Sequence, residues 1–232
     1  MLGAVARGAA QGAAWWTDHA TERGSKEPLR ALVALLGTDP VGYAILRREA
    51  KWSDQDLPAG TVQVWEMGAT GSPALLALGR RLVDLDLTTT VTIPARTLDD
   101  PLLWWAGGPR AASVRAGDSL WLRIVDVAAA LSQRGYAAPC DVVLQISDDL
   151  CPANAGRWRL QAGPDGTGAC RPADDDAHLH LDIADLAAAY LGNRSIAALA
   201  AAGSVTETRP GAVAELSRAM RTDTAPYGSI MF

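Results

Sequence analysis

Apolar positions along this chain recur with two periods, and the places where the period changes mark out its elements. Residues 11–21, around the adjacent Trp15 and Trp16, read as a short helix ended by Gly24, Ser25 and Pro28. Two apolar runs, 29–36 and 41–48, bracket Gly37-Thr38-Asp39-Pro40, which is the composition of a β-hairpin. Residues 52–60 form a polar loop, and 61–67 (TVQVWEM) alternate as a third strand. Ser72 as N-cap and Pro73 as first helical residue open a helix to about Leu85, with Leu75, Leu78, Leu82 and Leu85 on one face. Residues 88–93 are β-branched and stop at Pro94, as a strand does. Asp99-Asp100-Pro101 then starts a short helix carrying Leu102, Leu103, Trp104 and Trp105, which Gly107-Gly108-Pro109 closes.

A second segment begins near Ser113. Residues 120–125 read as a strand, and Asp126 can cap a helix over 127–134. Residues 141–146 are a strand, and 157–161 and 168–171 pair across the turn Gly163-Pro164-Asp165-Gly166. Residues 178–183 alternate as another strand, and helices follow at 183–191, 195–202 and 211–221. Neither segment shows a βαβ rhythm, so the expected class is α+β, with one lobe over 1–112 (1–14 as leader) and a second over 113–232.

Composition narrows the function classes. Hydrophobic residues make up 49% and charged residues 20% of the 232, enough apolar surface for packed cores. The net charge of -5 and the lack of a Lys/Arg run argue against a general binder of nucleic-acid phosphates. No apolar run reaches the roughly 20 residues that cross a bilayer, and the Ala/Gly-rich start lacks a leucine-rich core for a signal peptide. Cys140, Cys151 and Cys170 are odd in number and have no CxxC spacing, which predicts free thiols in a reducing cytoplasm. Eight tryptophans stand against a single phenylalanine, Phe232, the last residue.

Several separated motifs occur in one order: Pro101-Leu-Leu-Trp-Trp105; Leu120-Trp-Leu-Arg-Ile-Val-Asp-Val127; Cys151-Pro-Ala-Asn-Ala-Gly-Arg-Trp-Arg-Leu160; and Leu181-Asp-Ile-Ala-Asp-Leu186 with Tyr190-Leu-Gly192. In them the chain resembles the Eis family of N-acetyltransferases, from about Trp15 to Phe232. Members of that family carry an N-terminal GNAT acetyltransferase domain, a second GNAT-like region and a C-terminal domain like sterol carrier protein. This chain resembles the second and third. The resemblance implies acetyl-CoA-dependent acetylation of amines such as aminoglycosides. It implies that acetyl-CoA is held by the first region, so that this chain binds no cofactor unless a GNAT partner subunit supplies the site. It also implies a homo-oligomer, and a role for the α-carboxylate of Phe232 as general base on the amine.

The nearest approach to a pyrophosphate loop, Arg7-Gly-Ala-Ala-Gln-Gly12, has Ala10 where the pattern wants glycine and no preceding strand. A lone terminal aromatic after APYGSIM fits an anchored tail that presents its carboxylate; the plain reading is a frayed end. Asp148 and Asp149, at a strand end beside Cys151, could face a cationic amine, or could bond neighbouring amides in a turn, which Asn154 and Gly156 would shape. Trp104 and Trp105 cannot both point inward from one short helix, so one is free to line a pocket or interface. His178 and His180 share a strand face but lack a third ligand, and Asp174–Asp176 read as a solvated loop. Cys151 has no histidine at useful spacing. Two other readings stay open: a repurposed small-molecule enzyme that does not use acetyl-CoA, and a non-catalytic ligand-binding or scaffold module.

Overall fold

The computed structural model describes residues 3–117 and 120–228. Internal contacts divide the chain into two compact units, Val5–Gly117 and Met1–Ala4 with Asp118–Phe232.

In the first unit β1 (Arg30–Leu36), β2 (Asp39–Glu49), β3 (Gly60–Ala69) and β4 (Thr88–Thr92) form one sheet in that order. The first hairpin turns through Gly37-Thr38, and Gly37 takes φ +65°, which suits glycine. A short helix, α1 (Ala9–Trp15), precedes the sheet, and α2 (Ser72–Val83) crosses from β3 to β4. Because β3 and β4 pair in parallel, this is a βαβ crossover, contrary to the expectation that no such unit exists here. Strand pairing is a long-range property, and the five residues of β4 carry no local mark of their partner. Leu75, Leu78 and Leu82 of α2 bury against Ala44, Leu46, Val62, Val64 and Met67 of the sheet. Ser72 proves to be the first helical residue and Gly71 the N-cap, so Pro73 sits one place later than expected. The next helix, α3 (Pro101–Trp105), is capped as expected: Asp100 Oδ1 accepts from the Leu102 amide at 2.8 Å.

In the second unit α4 (Val127–Gln133) is capped by Asp126. The strands β5 (Cys140–Ser147), β6 (Gly156–Ala162), β7 (Gly168–Pro172), β8 (Leu179–Asp182) and β9 (Val205–Glu207) form a sheet in the order β7-β6-β5-β8-β9. Only β5 and β8 pair in parallel. The register aligns Val142, Leu160 and Cys170, and Leu144 with Leu179, on one face. That face packs on α4, α5 (Ile183–Tyr190) and α7 (Ala212–Met220), with Ile196 and Leu199 of α6 (Ile196–Ala201) completing the core. The other face carries Asp141, Gln145, Arg159 and Gln161.

Three expectations change here. Residues 120–125 are no strand, although Leu122 and Ile124 face the core; the Ile124 carbonyl accepts from an Asn154 side chain instead. Val205–Glu207 add a strand, β9, where none is expected. His178 lies outside β8, so the two histidines do not share a strand. The whole is an α+β protein of two lobes, each with its own sheet.

Candidate functional site

The most specific wording in the sequence, 151–158, builds a turn around one carboxylate. Asp148 directly follows β5 in a fully shielded position, and four donors meet it. Oδ1 accepts from Arg123 Nη2 at 2.5 Å and from the amides of Leu150 at 3.1 Å and Cys151 at 2.9 Å. Oδ2 accepts from Asn154 Nδ2 at 3.0 Å. Burial by itself would raise the Asp148 pKa, but the bonds from Asn154, the Cys151 amide and Arg123 bring it from 3.8 down to about 2. Asn154, itself buried, accepts from the Val127 amide at 3.2 Å through Oδ1, and its carbonyl accepts from Trp158 Nε1 at 2.8 Å. One turn thus ties together 120–125, the start of α4, β5 and β6. Asp148 is engaged on both oxygens, whereas Asp149 beside it is exposed.

Trp104 and Trp105 belong to the first unit. A five-residue helix has room for one inward side chain, and Leu102 takes it. Trp104, two residues on, faces away and is 66% exposed; Trp105 is 39% exposed, its ring 3.9 Å from where a Cβ on Gly79 would sit. Both tryptophans therefore offer surface, where one was expected to do so.

Phe232 lies outside the described residues, but the tail leading to it is described to Gly228. Its root lies against the end of α5: the single Thr222 hydroxyl proton is shared between Leu191 O at 3.3 Å and Thr224 O at 3.1 Å. Gly192, at φ +85°, comes so close that a Cβ would stand 2.6 Å from Thr222 Cγ2 and 2.8 Å from Met220 O. Further along, a Cβ on Gly3 would lie 3.2 Å from Tyr227 O and 3.5 Å from Pro226 Cβ. The tail is docked at two places within its own unit. Beside its root, Gly192, Asn193, Ser195, Ser217, Arg218, Arg221 and Thr222 line a cavity of about 410 Å³.

Sequence reasoning missed two clusters. In the first unit Glu66 collects Arg7 at 2.8 Å, Trp15 Nε1 at 2.9 Å and Tyr43 OH at 2.5 Å, with Arg7 4.6 Å above the Trp15 ring. In the second, Arg134 sits half-buried between Tyr136 and Tyr190. Local spacing does not reveal either cluster, because Arg7, Trp15 and Tyr43 reach Glu66 from distant parts of the chain, and beyond the adjacent Gly135 and Tyr136 the partners of Arg134 lie at the ends of α5 and α7.

The thiols behave as expected of core residues. Cys140 and Cys170 are buried and Cys151 partly so, all three free. Burial pushes Cys140 up to about 11 and Cys170 to about 12. His178 Nδ1 accepts from the Val143 amide at 3.1 Å, and burial lowers its pKa, as does Arg209. Among the described residues no group of three or more His, Cys, Asp or Glu could hold a metal ion, and no helix is long and apolar enough to cross a membrane.

Comparison with known proteins follows these two units. Residues 3–124 match the family model of an acetyltransferase (GNAT) domain, and 127–229 that of a sterol carrier protein domain. An uncharacterized N-acetyltransferase of Streptomyces avermitilis is 41% identical over 211 residues, 90% of this chain and 51% of that protein. N-acetyltransferase Eis of Mycobacterium bovis is 36% identical over 167 residues, 70% of this chain and 38% of the relative. The crystal structure of Eis1 from Mycobacterium abscessus superposes with a TM-score of 0.70 at 32% identity, covering 84% of this chain and 51% of that one. The chain belongs to the GNAT acetyltransferase family, in the Eis-like group that carries a sterol carrier protein domain. It spans about half the length of the Streptomyces relative and of the Eis1 structure.

Proposed function

We propose that this chain forms the amine-side portion of an Eis-like N-acetyltransferase acting on aminoglycoside-like substrates, with acetyl-CoA held by a GNAT region outside it. The observation that carries the reading is the docked tail. An amine that becomes an amide must shed a proton, and a carboxylate held in place can accept it. A tail pinned at Thr222 and again at 226–227 supports a general-base role for the α-carboxylate of Phe232. For the amine's charge, Asp149 is the member of the acidic pair with open acceptors, and Asp148 serves by holding the turn. Trp104 and Trp105 are assigned to substrate contact or to an interface between copies in a homo-oligomer.

The residues of the one loop-like string do not fit a pyrophosphate cradle. Arg7 is committed to Glu66, Gln11 Oε1 accepts from the Gly8 amide at 3.0 Å, and the Gly12 amide donates to Gly8 O at 2.9 Å. The string enters a seven-residue helix rather than leaving a strand. A second reading draws on the GNAT match over 3–124: that this unit binds acetyl-CoA by itself. Calorimetric titration of acetyl-CoA into the chain separates the two. No heat of binding is expected; micromolar binding would overturn the first reading in favour of the second. Deleting Phe232 should abolish acetylation in the assembly that holds acetyl-CoA, and full retained activity would remove the tail from catalysis.

A further inference from the structure

The last carbonyls of a helix have no intrahelical donor, and a cation placed there satisfies both their lone pairs and the helix dipole. Arg134, just past α4, serves two such ends at once. Its Nη1 donates to Tyr190 O, the last residue of α5, at 2.8 Å, and its Nη2 to Met220 O, the last residue of α7, at 2.7 Å. Nε donates to Gly135 O at 3.1 Å. The guanidinium stands 4.9 Å from the Tyr136 ring centre and 5.6 Å from that of Tyr190. These partners are carbonyl dipoles and ring faces, none of them a carboxylate. Burial lowers the Arg134 pKa, with the two tyrosines and Cys140 opposing the shift. A half-buried guanidinium that gives up either carbonyl loses a charge-assisted bond, so it ties the two helix ends together.

Met220 is where the tail begins. We infer that Arg134 is a positioning residue for the C-terminal tail: by tying the end of α7 to the end of α5 it sets the direction in which the residues after Met220 leave the domain. The neighbouring contacts run the same way, with Thr222 bonded to Leu191 and Gly192 leaving space only for a hydrogen opposite Met220 O. A planar fork is needed to reach two carbonyls at once; lysine can serve one. The catalytic consequence rests on the proposed role of the Phe232 carboxylate.

The test uses the full chain with Arg134→Met, which keeps the stem between the tyrosine rings and removes the donors. Hydrogen exchange of the amides at 222–228 and release of Phe232 by a carboxypeptidase are read against exchange of the β5 amides. Tail exchange and Phe232 release should accelerate about tenfold, with β5 at the wild-type rate. Arg134→Lys should fall between, and it decides the matter if the Met variant also loosens β5. In the acetylating assembly Arg134→Met should lower kcat with KM unchanged. Tail rates equal to wild type in a variant with intact β5 overturn the inference. If deleting Phe232 leaves acetylation intact while Arg134→Met frees the tail, the positioning stands and the base assignment falls. Wild-type tail rates together with acetylation lost on deletion give the reverse.

Discussion

Asp148 shows how much one side chain can organise. Its carboxylate holds Arg123, two amides and Asn154 in a shielded turn, and those donors bring its pKa to about 2 from 3.8. A folded-state pKa below the unfolded one adds stability that is fully present above about pH 4 and is lost as pH falls through about 2. Asp148→Asn should therefore be less stable than wild type at pH 7, and the gap should close between about pH 4 and pH 2. Urea midpoints across that window check this; a constant gap would show that the charge contributes nothing. The acidic pair was visible in the sequence, as was the turn alternative. What spacing could not reveal was Arg123, 25 residues upstream, which arrives from a segment that forms no strand.

Among the elements, the helix starts at Asp100 and Asp126 were legible, whereas the cap expected at Ser72 fell to Gly71. Asp126 caps through its own side chain as expected, and Asp182 and Ser195 do the same where no cap is expected. Glycines divide by what surrounds them. Gly192→Ala places a Cβ at φ +85° against Thr222 and Met220 O, and should cost about 1–3 kcal/mol while loosening the tail's root. Gly12→Ala, within α1 and with nothing within 4 Å, should stabilise its helix by about 0.5–1 kcal/mol. Thermal or urea unfolding of the two variants gives opposite signs if this holds. Equal effects would mean that the close approach at Gly192 is relieved elsewhere. Burial around Gly192 comes from residues 30 positions away in the chain, so no local pattern could separate it from Gly12.

At the scale of the whole molecule, each unit has its own core. Leu75, Leu78 and Leu82 close one, and Leu131, Leu144, Leu160 and Leu216 the other. We propose that residues 113–232 are a folding domain in their own right, supported by a cluster drawn from one sheet face and four helices. Expressed alone, this piece should unfold cooperatively in urea, and Leu144→Ala within it should cost about 2–5 kcal/mol. A non-cooperative transition in the isolated piece would count against the boundary.

By itself the sequence determined the class of fold and most strand and helix positions, because periodicity, capping and turn composition act over a few residues, while the free thiols followed from the number and spacing of the cysteines and the family likeness from the separated motifs. Only the tertiary structure decided that β3 and β4 pair in parallel, that 120–125 pairs with no strand, that both Trp104 and Trp105 keep exposed surface, and that Arg134 joins two helix ends. Each of these depends on partners far apart in the chain, brought together by burial of the apolar faces, and burial has no local alphabet.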